Sequence, residues 1–244
     1  MVDPTLPAKP AATVMLLRDA DTSEGIEVFM LRRTTTAAFA GGMYVFPGGK
    51  VEEADGEGDD GYAVAAIREC YEEAGVLLAT DAGGRMVADG HPALSHRQAV
   101  YDGTIGLRQL CAEHDLTLAI DDLVWISHWI TPVGESPRRF DTRFFIAAAP
   151  PSQVSRHDDN ETIASTWMGP KDALGRHERR ELTMMPPTIK NLEFVAAHRD
   201  SASTMQAARA LGRPTAILPK LRLDGNGRTV GISMPTDDDY ADLV

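Results

Sequence analysis

Three carboxylates, Glu69, Glu72 and Glu73, stand at i, i+3 and i+4 in the run Arg68-Glu69-Cys70-Tyr71-Glu72-Glu73-Ala74-Gly75-Val76. On a helix that spacing crowds them onto one side, next to an arginine. Like charges so placed repel one another, and a helix selected for stability alone would avoid them. A hard divalent cation such as Mg²⁺ takes oxygen ligands and relieves the repulsion. The chemistry this pattern supports is metal binding. The competing reading is a solvated helix face, and Arg68, Gly75 and the upstream run Phe46-Pro47-Gly48-Gly49 weigh against it.

The positioning elements follow from hydrophobic pattern and turn residues. Tyr62 to Ala74 is the expected helix, with Ala63, Ala66, Ile67 and Cys70 as its apolar stripe and Gly75 as its stop. Ala12 to Leu17 and Ile26 to Arg32 pattern as a strand hairpin, and Met43 to Phe46 as a short strand halted by Pro47-Gly48-Gly49. Glu52 to Gly61 is acidic, glycine-rich and expected in solvent. As a calcium loop it fails, because Asp60 stands where the turn glycine belongs. A helix is expected over Ser95 to Glu113, paired strands over Leu123 to Ile130 and Arg143 to Ala148, and a strand over Thr162 to Met168. Further helices are expected at Pro170 to Leu174, Thr188 to His198 and Ala202 to Leu211, then a hairpin of Leu218 to Leu223 and Thr229 to Met234 about Asp224-Gly225-Asn226-Gly227. Strands and helices interleave without a βαβ rhythm. The expected class is α/β (α+β), a mixed sheet between helices. Residues 1–11 are read as an extension, 12–200 as the main domain, and 201–244 as a C-terminal helix and hairpin packed on it.

The 244 residues are 43% hydrophobic, enough for a core, and carry a net charge of −12, which argues against nucleic-acid binding. A small anionic substrate stays compatible where arginines or metal ions reverse the local field. Cys70 and Cys111 are the only cysteines, which fits a reducing compartment. Residues 1–13 lack the pattern of a signal peptide, and no apolar run suits a membrane span. A cytoplasmic protein without a membrane partner is expected, its oligomeric state open to a homodimer.

Gly48-Gly49 followed by the Arg68 to Val76 run resembles the Nudix hydrolase signature, G-x5-E-x7-R-E-U-x-E-E-x-G-U, where U is bulky and apolar. The second half matches, with Cys70 at the first U position. The first half departs: counted back from Arg68, Asp60 and Ala54 occupy the glutamate and glycine positions. An insertion of about five residues, leaving Gly49 as the motif glycine, accounts for this. Glu57, Asp59 and Asp60 are the candidates for the displaced glutamate. Two flanking elements resemble the branch of coenzyme A diphosphatases, whose box also carries an insertion. They are Leu31-Arg32-Arg33-Thr34 leading to Gly42 through Gly49, with Ala38 at a position the element keeps basic, and Trp129-Ile130-Thr131-Pro132 with Arg138 to Phe145. The resemblance covers about Ala12 to Leu192.

It implies a Nudix fold that cleaves the pyrophosphate of a nucleoside diphosphate linked to another group, X, with Mg²⁺ or Mn²⁺. Glu69 and Glu73 would be metal ligands, Glu72 a third and the Gly49 carbonyl a fourth. Arg68 would pair with a motif carboxylate. Glu161 or Glu72 would serve as the base. Arg33, Phe46, Gly48, Arg138 and Arg139 would meet the substrate. Coenzyme A or an acyl derivative is the expected substrate. The rivals are NADH, FAD, ADP-ribose or a nucleotide sugar, and, from another class, a silent nucleotide-sensing module. Outside the box, Trp125 and Trp129 are expected on one face of a strand as core, Asp141 and Arg143 on alternating sides of theirs, His128 as structural, and Cys70 as packing.

Overall fold

The computed structural model describes residues 7–20, 25–35, 40–136, 138–156 and 162–243. In chain order the strands and helices are β1 (Lys9–Asp19), β2 (Ile26–Arg33), β3 (Tyr44–Val45), β4 (Gly48–Lys50), α1 (Gly58–Ala74), β5 (Ala79–Thr80), α2 (Arg97–Tyr101) and α3 (Leu107–Glu113). They continue with β6 (Thr117–Leu118), β7 (Val124–Ile130), β8 (Phe140–Ala148), β9 (Thr162–Met168), α4 (Pro170–Glu178), α5 (Pro186–Ala196), α6 (Ser201–Ala210), β10 (Ala216–Ile217), β11 (Lys220–Leu223) and β12 (Thr229–Ser233).

A mixed sheet runs β10-β7-β8-β1-β2-β3, with β4 also paired to β1 and β9 to β2. β1 and β8 run parallel, as do β7 and β10, and the other pairs in this sheet are antiparallel. One face packs against α1 and the segment around α2 and α3, through Ala66, Ile67, Leu77 and Leu110. The other packs against α4, α5 and α6, through Ala173, Leu192, Val195 and Met205. This is the expected mixed sheet between helices. The C-terminal segment joins the body, with Met205 and Ala208 of α6 in the second core and β10 extending the sheet.

A fork in the sheet positions the box. β1 pairs with β2 only at Leu17–Asp19, and its start pairs with β4 instead. The chain crosses from β3, on β2, to β4, on β1, through Phe46-Pro47, and the Pro47 carbonyl accepts from the Val14 amide. Gly48 and Gly49 therefore do not merely stop a strand; they form one. A Cβ on Gly48 would overlap Thr13 and the Ala12 carbonyl, so glycine allows this approach.

Three other elements differ from expectation. α1 begins at Gly58 rather than Tyr62, its first turn carrying Asp59 and Asp60, which suit a helix N-terminus. The Ser95 to Glu113 stretch is not one helix. It breaks into α2 and α3 about Gly103, at φ +67°. β7 carries a bulge: Trp125 pairs with Phe145 but Ser127 with Phe144, leaving Ile126 extra. The bulge reverses the facing of every later residue of the strand, so Trp125 packs in the first core and Trp129 in the second, not on one face. The hairpin β11–β12 forms as expected.

Candidate active site

α1 presents the box. Gly75 ends it in the left-handed conformation, its N–H returning to the Tyr71 carbonyl. Arg97 caps the same end, its Nε donating to the Glu72 carbonyl at 2.8 Å. Tyr71 is fully buried and donates to the Ala93 carbonyl at 2.6 Å. Cys70 is buried in the core, and burial pushes its thiol pKa well above the ordinary value, which suits packing rather than nucleophilic chemistry.

Arg68 is the hub. Its Nε donates to Asp55 Oδ1 at 3.0 Å and Nη2 to Asp55 Oδ2 at 3.1 Å, while Nη2 also reaches the Lys50 carbonyl at 2.7 Å. Nη1 donates to Glu69 Oε1 at 2.9 Å and to Glu72 Oε2 at 3.3 Å. Burial alone would lower its pKa; the hydrogen bonds to Asp55 and the charges of Glu69, Asp55 and Glu72 raise it instead.

Asp55 is the residue that sequence reasoning missed. It is 2% exposed, whereas Glu57, Asp59 and Asp60, the candidates named for this role, are exposed. Its signal lay in the spacing, because Asp55 follows Gly49 with five residues between, as the signature requires of its glutamate. Counting back from Arg68 concealed it, since the insertion falls after Asp55, not before.

Burial raises the pKa of Glu72, and the neighbouring Arg68 draws it down only in part. Glu73 Oε2 accepts from the Gly48 amide at 2.9 Å, and its Oε1 lies 3.9 Å from Arg33 Nη1. A Cβ on Gly49 would overlap the Glu69 carboxylate, so that backbone lies directly against it. Among the described residues no three acidic, histidine or cysteine side chains converge where a cation could sit. Glu69 and Glu72 turn to Arg68, and Glu73 to the Gly48 amide. The donor types themselves, carboxylates beside the half-buried backbone of Gly49, are those that suit a hard cation.

These residues line one cavity of about 760 Å³, together with Arg33, Phe46, Lys50, Trp129, Arg138 and Phe144. The structure separates the two candidate arginines. Arg138 faces the cavity, whereas Arg139 is not part of its lining and donates from Nε to the Thr131 carbonyl at 3.1 Å. Glu161, and Ala38 of the element before the box, lie outside the described residues. His128 pairs with Asp141 and is not part of the cavity lining. Asp141 and Arg143, two apart on β8, share a face rather than alternate, and both stand near Tyr62.

The profile described as NUDIX domain matches residues 7–98, the profile described as NUDT19 Nudix domain matches residues 57–195, and the chain belongs to the Nudix hydrolase family. Within it the likeness runs to the NUDT19 branch. The chain is 26% identical over 227 residues to the acyl-coenzyme A diphosphatase NUDT19 of Gallus gallus, covering 68% of this chain and 60% of that protein. It is 30% identical over 173 residues to the putative nudix hydrolase 7 of Caenorhabditis elegans, covering 71% of this chain and 57% of that one. The chain thus spans less than two thirds of either relative's length. The crystal structure of a NUDIX hydrolase from Alicyclobacillus acidocaldarius superposes with a TM-score of 0.75 at 28% identity, over 83% of this chain and 97% of that one.

Proposed function

We propose that the chain hydrolyses the pyrophosphate bond of coenzyme A or an acyl derivative, releasing 3′,5′-ADP and a phosphopantetheine species. The carrying observation is the Arg68 hub, which is anchored on buried Asp55 and holds Glu69 and Glu72 at the wall of one cavity shared with Glu73, Gly48 and Gly49. A passive helix face would not keep three carboxylates around a buried arginine.

Glu69 and Glu73 would hold Mg²⁺ or Mn²⁺, with Glu72 and the Gly49 carbonyl as further donors. The ion supplies charge neutralisation at the phosphates and acidifies a bound water. Arg68 holds and aims the carboxylates. Arg33 and Arg138, both at the cavity, are placed to meet phosphate oxygens. Glu72, whose pKa is raised by burial, is a candidate base for the attacking water, and Glu161 is its rival. The name of the Gallus gallus relative supports coenzyme A as the substrate.

The test is a panel of coenzyme A, acyl-coenzyme A, NADH, ADP-ribose and nucleotide sugars with Mg²⁺ or Mn²⁺. Hydrolysis of coenzyme A is expected, and Glu73→Gln should reduce kcat/KM by at least about 100-fold. Absence of hydrolysis across the panel, with Glu73→Gln matching wild type, overturns the reading.

A further inference from the structure

We propose that the N-terminus of α5 is an anion site within the cavity, where the Thr188 hydroxyl and amide receive a phosphate monoester, the 3′-phosphate of coenzyme A. This rests on the coenzyme A reading and names the group by which the site tells that substrate from other nucleoside diphosphates.

The helix starts as Met185-Pro186-Pro187-Thr188. Proline suits a first helical turn, because its φ is already helical and the N–H it lacks would go unbonded there. Two prolines in succession make the Thr188 amide the first donor inside the helix. The Ile189 amide closes on the Met185 carbonyl at 3.1 Å, whereas the Thr188 amide makes no bond among the described residues. Met185 gives no side-chain cap, and the first turn holds no acidic residue. The positive end of the helix dipole therefore has no compensating group of its own. All four residues line the cavity, so this end opens into it.

The Thr188 side chain points to what fills that end. The residue is 5% exposed, yet its hydroxyl makes no hydrogen bond among the described residues. Nor is that oxygen sealed in the interior, and the surface it keeps is on the cavity that the residue lines. A hydroxyl this deep without a partner forfeits hydration, and a ligand oxygen restores the lost bond. Hydroxyl and amide stand on one residue at a helix N-terminus, which favours an acceptor carrying negative charge. The box takes the pyrophosphate of coenzyme A, and the 3′-phosphate is its other anion.

The site is fixed before a ligand arrives. Asn191, 3% exposed, donates from Nδ2 to the Pro187 carbonyl at 2.9 Å and accepts from Ser127 Oγ of β7 at 2.8 Å. The Tyr44 amide of β3 donates to the Thr183 carbonyl at 2.9 Å, and Tyr44 bridges Met184. Gly48 of the box strand follows Tyr44 by four residues, at most about 13 Å along a strand. The 5′ and 3′ phosphates of a nucleotide, one ribose apart, fall within that span. Arg33, Lys50 and Arg138 line the same cavity and add positive field against Glu135 and the box carboxylates.

The experiment compares coenzyme A with 3′-dephospho-coenzyme A, which differ in that phosphate alone, on the full chain with Mg²⁺. Thr188→Val keeps the branched shape and removes the hydroxyl. The ratio of kcat/KM, coenzyme A over dephospho-coenzyme A, should fall about tenfold through KM, and Thr188→Ser should restore most of it. The melting temperature of free Thr188→Val should not fall, because no internal hydrogen bond is lost. Binding supplies an arm without turnover: 3′,5′-ADP should raise the melting temperature of wild type more than 5′-AMP does, and Thr188→Val should erase the excess. A ratio that Thr188→Val leaves unchanged overturns the inference, and so does a wild type that shows no excess, a result that needs no variant to fold. If wild type cleaves neither coenzyme A compound, yet the excess is present and Thr188→Val erases it, the phosphate site stands and the coenzyme A hydrolase reading falls. If wild type cleaves both compounds equally and shows no excess, the site falls and the hydrolase reading stands.

Discussion

Two arginine clusters flank the residues that lengthen the box, and they share composition but not setting. Arg68 and Asp55 are 9% and 2% exposed at their side chains, and the arginine also holds Glu69, Glu72 and the Lys50 carbonyl. Across the insertion, Arg143 binds Asp59 and stacks 3.7 Å over Tyr62 and 4.4 Å over Trp125. Arg213 reaches the same Asp59 at 3.0 Å. Asp59 is 52% exposed and Arg213 68%. In the first cluster each charge depends on the others, because water cannot replace a lost partner. In the second, water competes for Asp59, and the buried part of the interaction is guanidinium against aromatic rings. The difference separates a network that sets the site from a surface tie that joins the start of α1 to β8 and the segment after α6.

The sharpest way to break this contrast is Arg68→Met. It leaves Asp55, Glu69 and Glu72 facing one another with no cation, and removing one partner from a buried charge network costs about 3–5 kcal/mol. Urea unfolding should show that loss, with activity absent even in the fraction that folds. A loss below about 1 kcal/mol would place this cluster with the surface pairs. Asp55→Asn is milder, because Arg68 keeps Glu69, Glu72 and a backbone carbonyl. It should cost about 1–3 kcal/mol. It should also lower kcat/KM more than it raises KM, since it disturbs the arginine that aims Glu69 and Glu72. Unchanged stability and kinetics would return Asp55 to the solvated loop.

The same contrast explains what the sequence disclosed. The helical half of the box was legible because its residues act through local spacing: Glu69, Glu72, Glu73 and Gly75 need only a helix and its end. The strands β1, β2, β7, β8 and β9 were legible through apolar runs. Asp55 was obscured because its role depends on a partner across a turn and an insertion, and an aspartate stands for the expected glutamate. The facing of Trp129 was misread because one extra residue, Ile126, flips everything after it, and pattern alone does not mark a bulge. The break at Gly103 was passed over since apolar periodicity continues on both sides. The C-terminal wall of the cavity was illegible for another reason. Nothing local to Pro219 or Ile232 states that β10 pairs with β7.

The smallest effect should come from Asp59→Asn, which tests the surface side of the contrast through pH. The hydrogen bond from Arg143, and then the charges of Arg143 and Arg213, hold the Asp59 carboxyl below its ordinary range. A carboxylate whose folded pKa is lowered adds stability that is fully present above its unfolded value of about 4 and fades as pH falls through the lower folded value. Because Asp59 is half exposed, the contribution should stay below about 1 kcal/mol and shrink with added salt. The variant should therefore be slightly less stable than wild type from neutral pH down to about 5, and the two should converge towards pH 3. Urea melts across that range decide it. A deficit above about 2 kcal/mol that ignores salt would mean that Asp59 acts like Asp55, and that the insertion is anchored on both sides by networks closed to water.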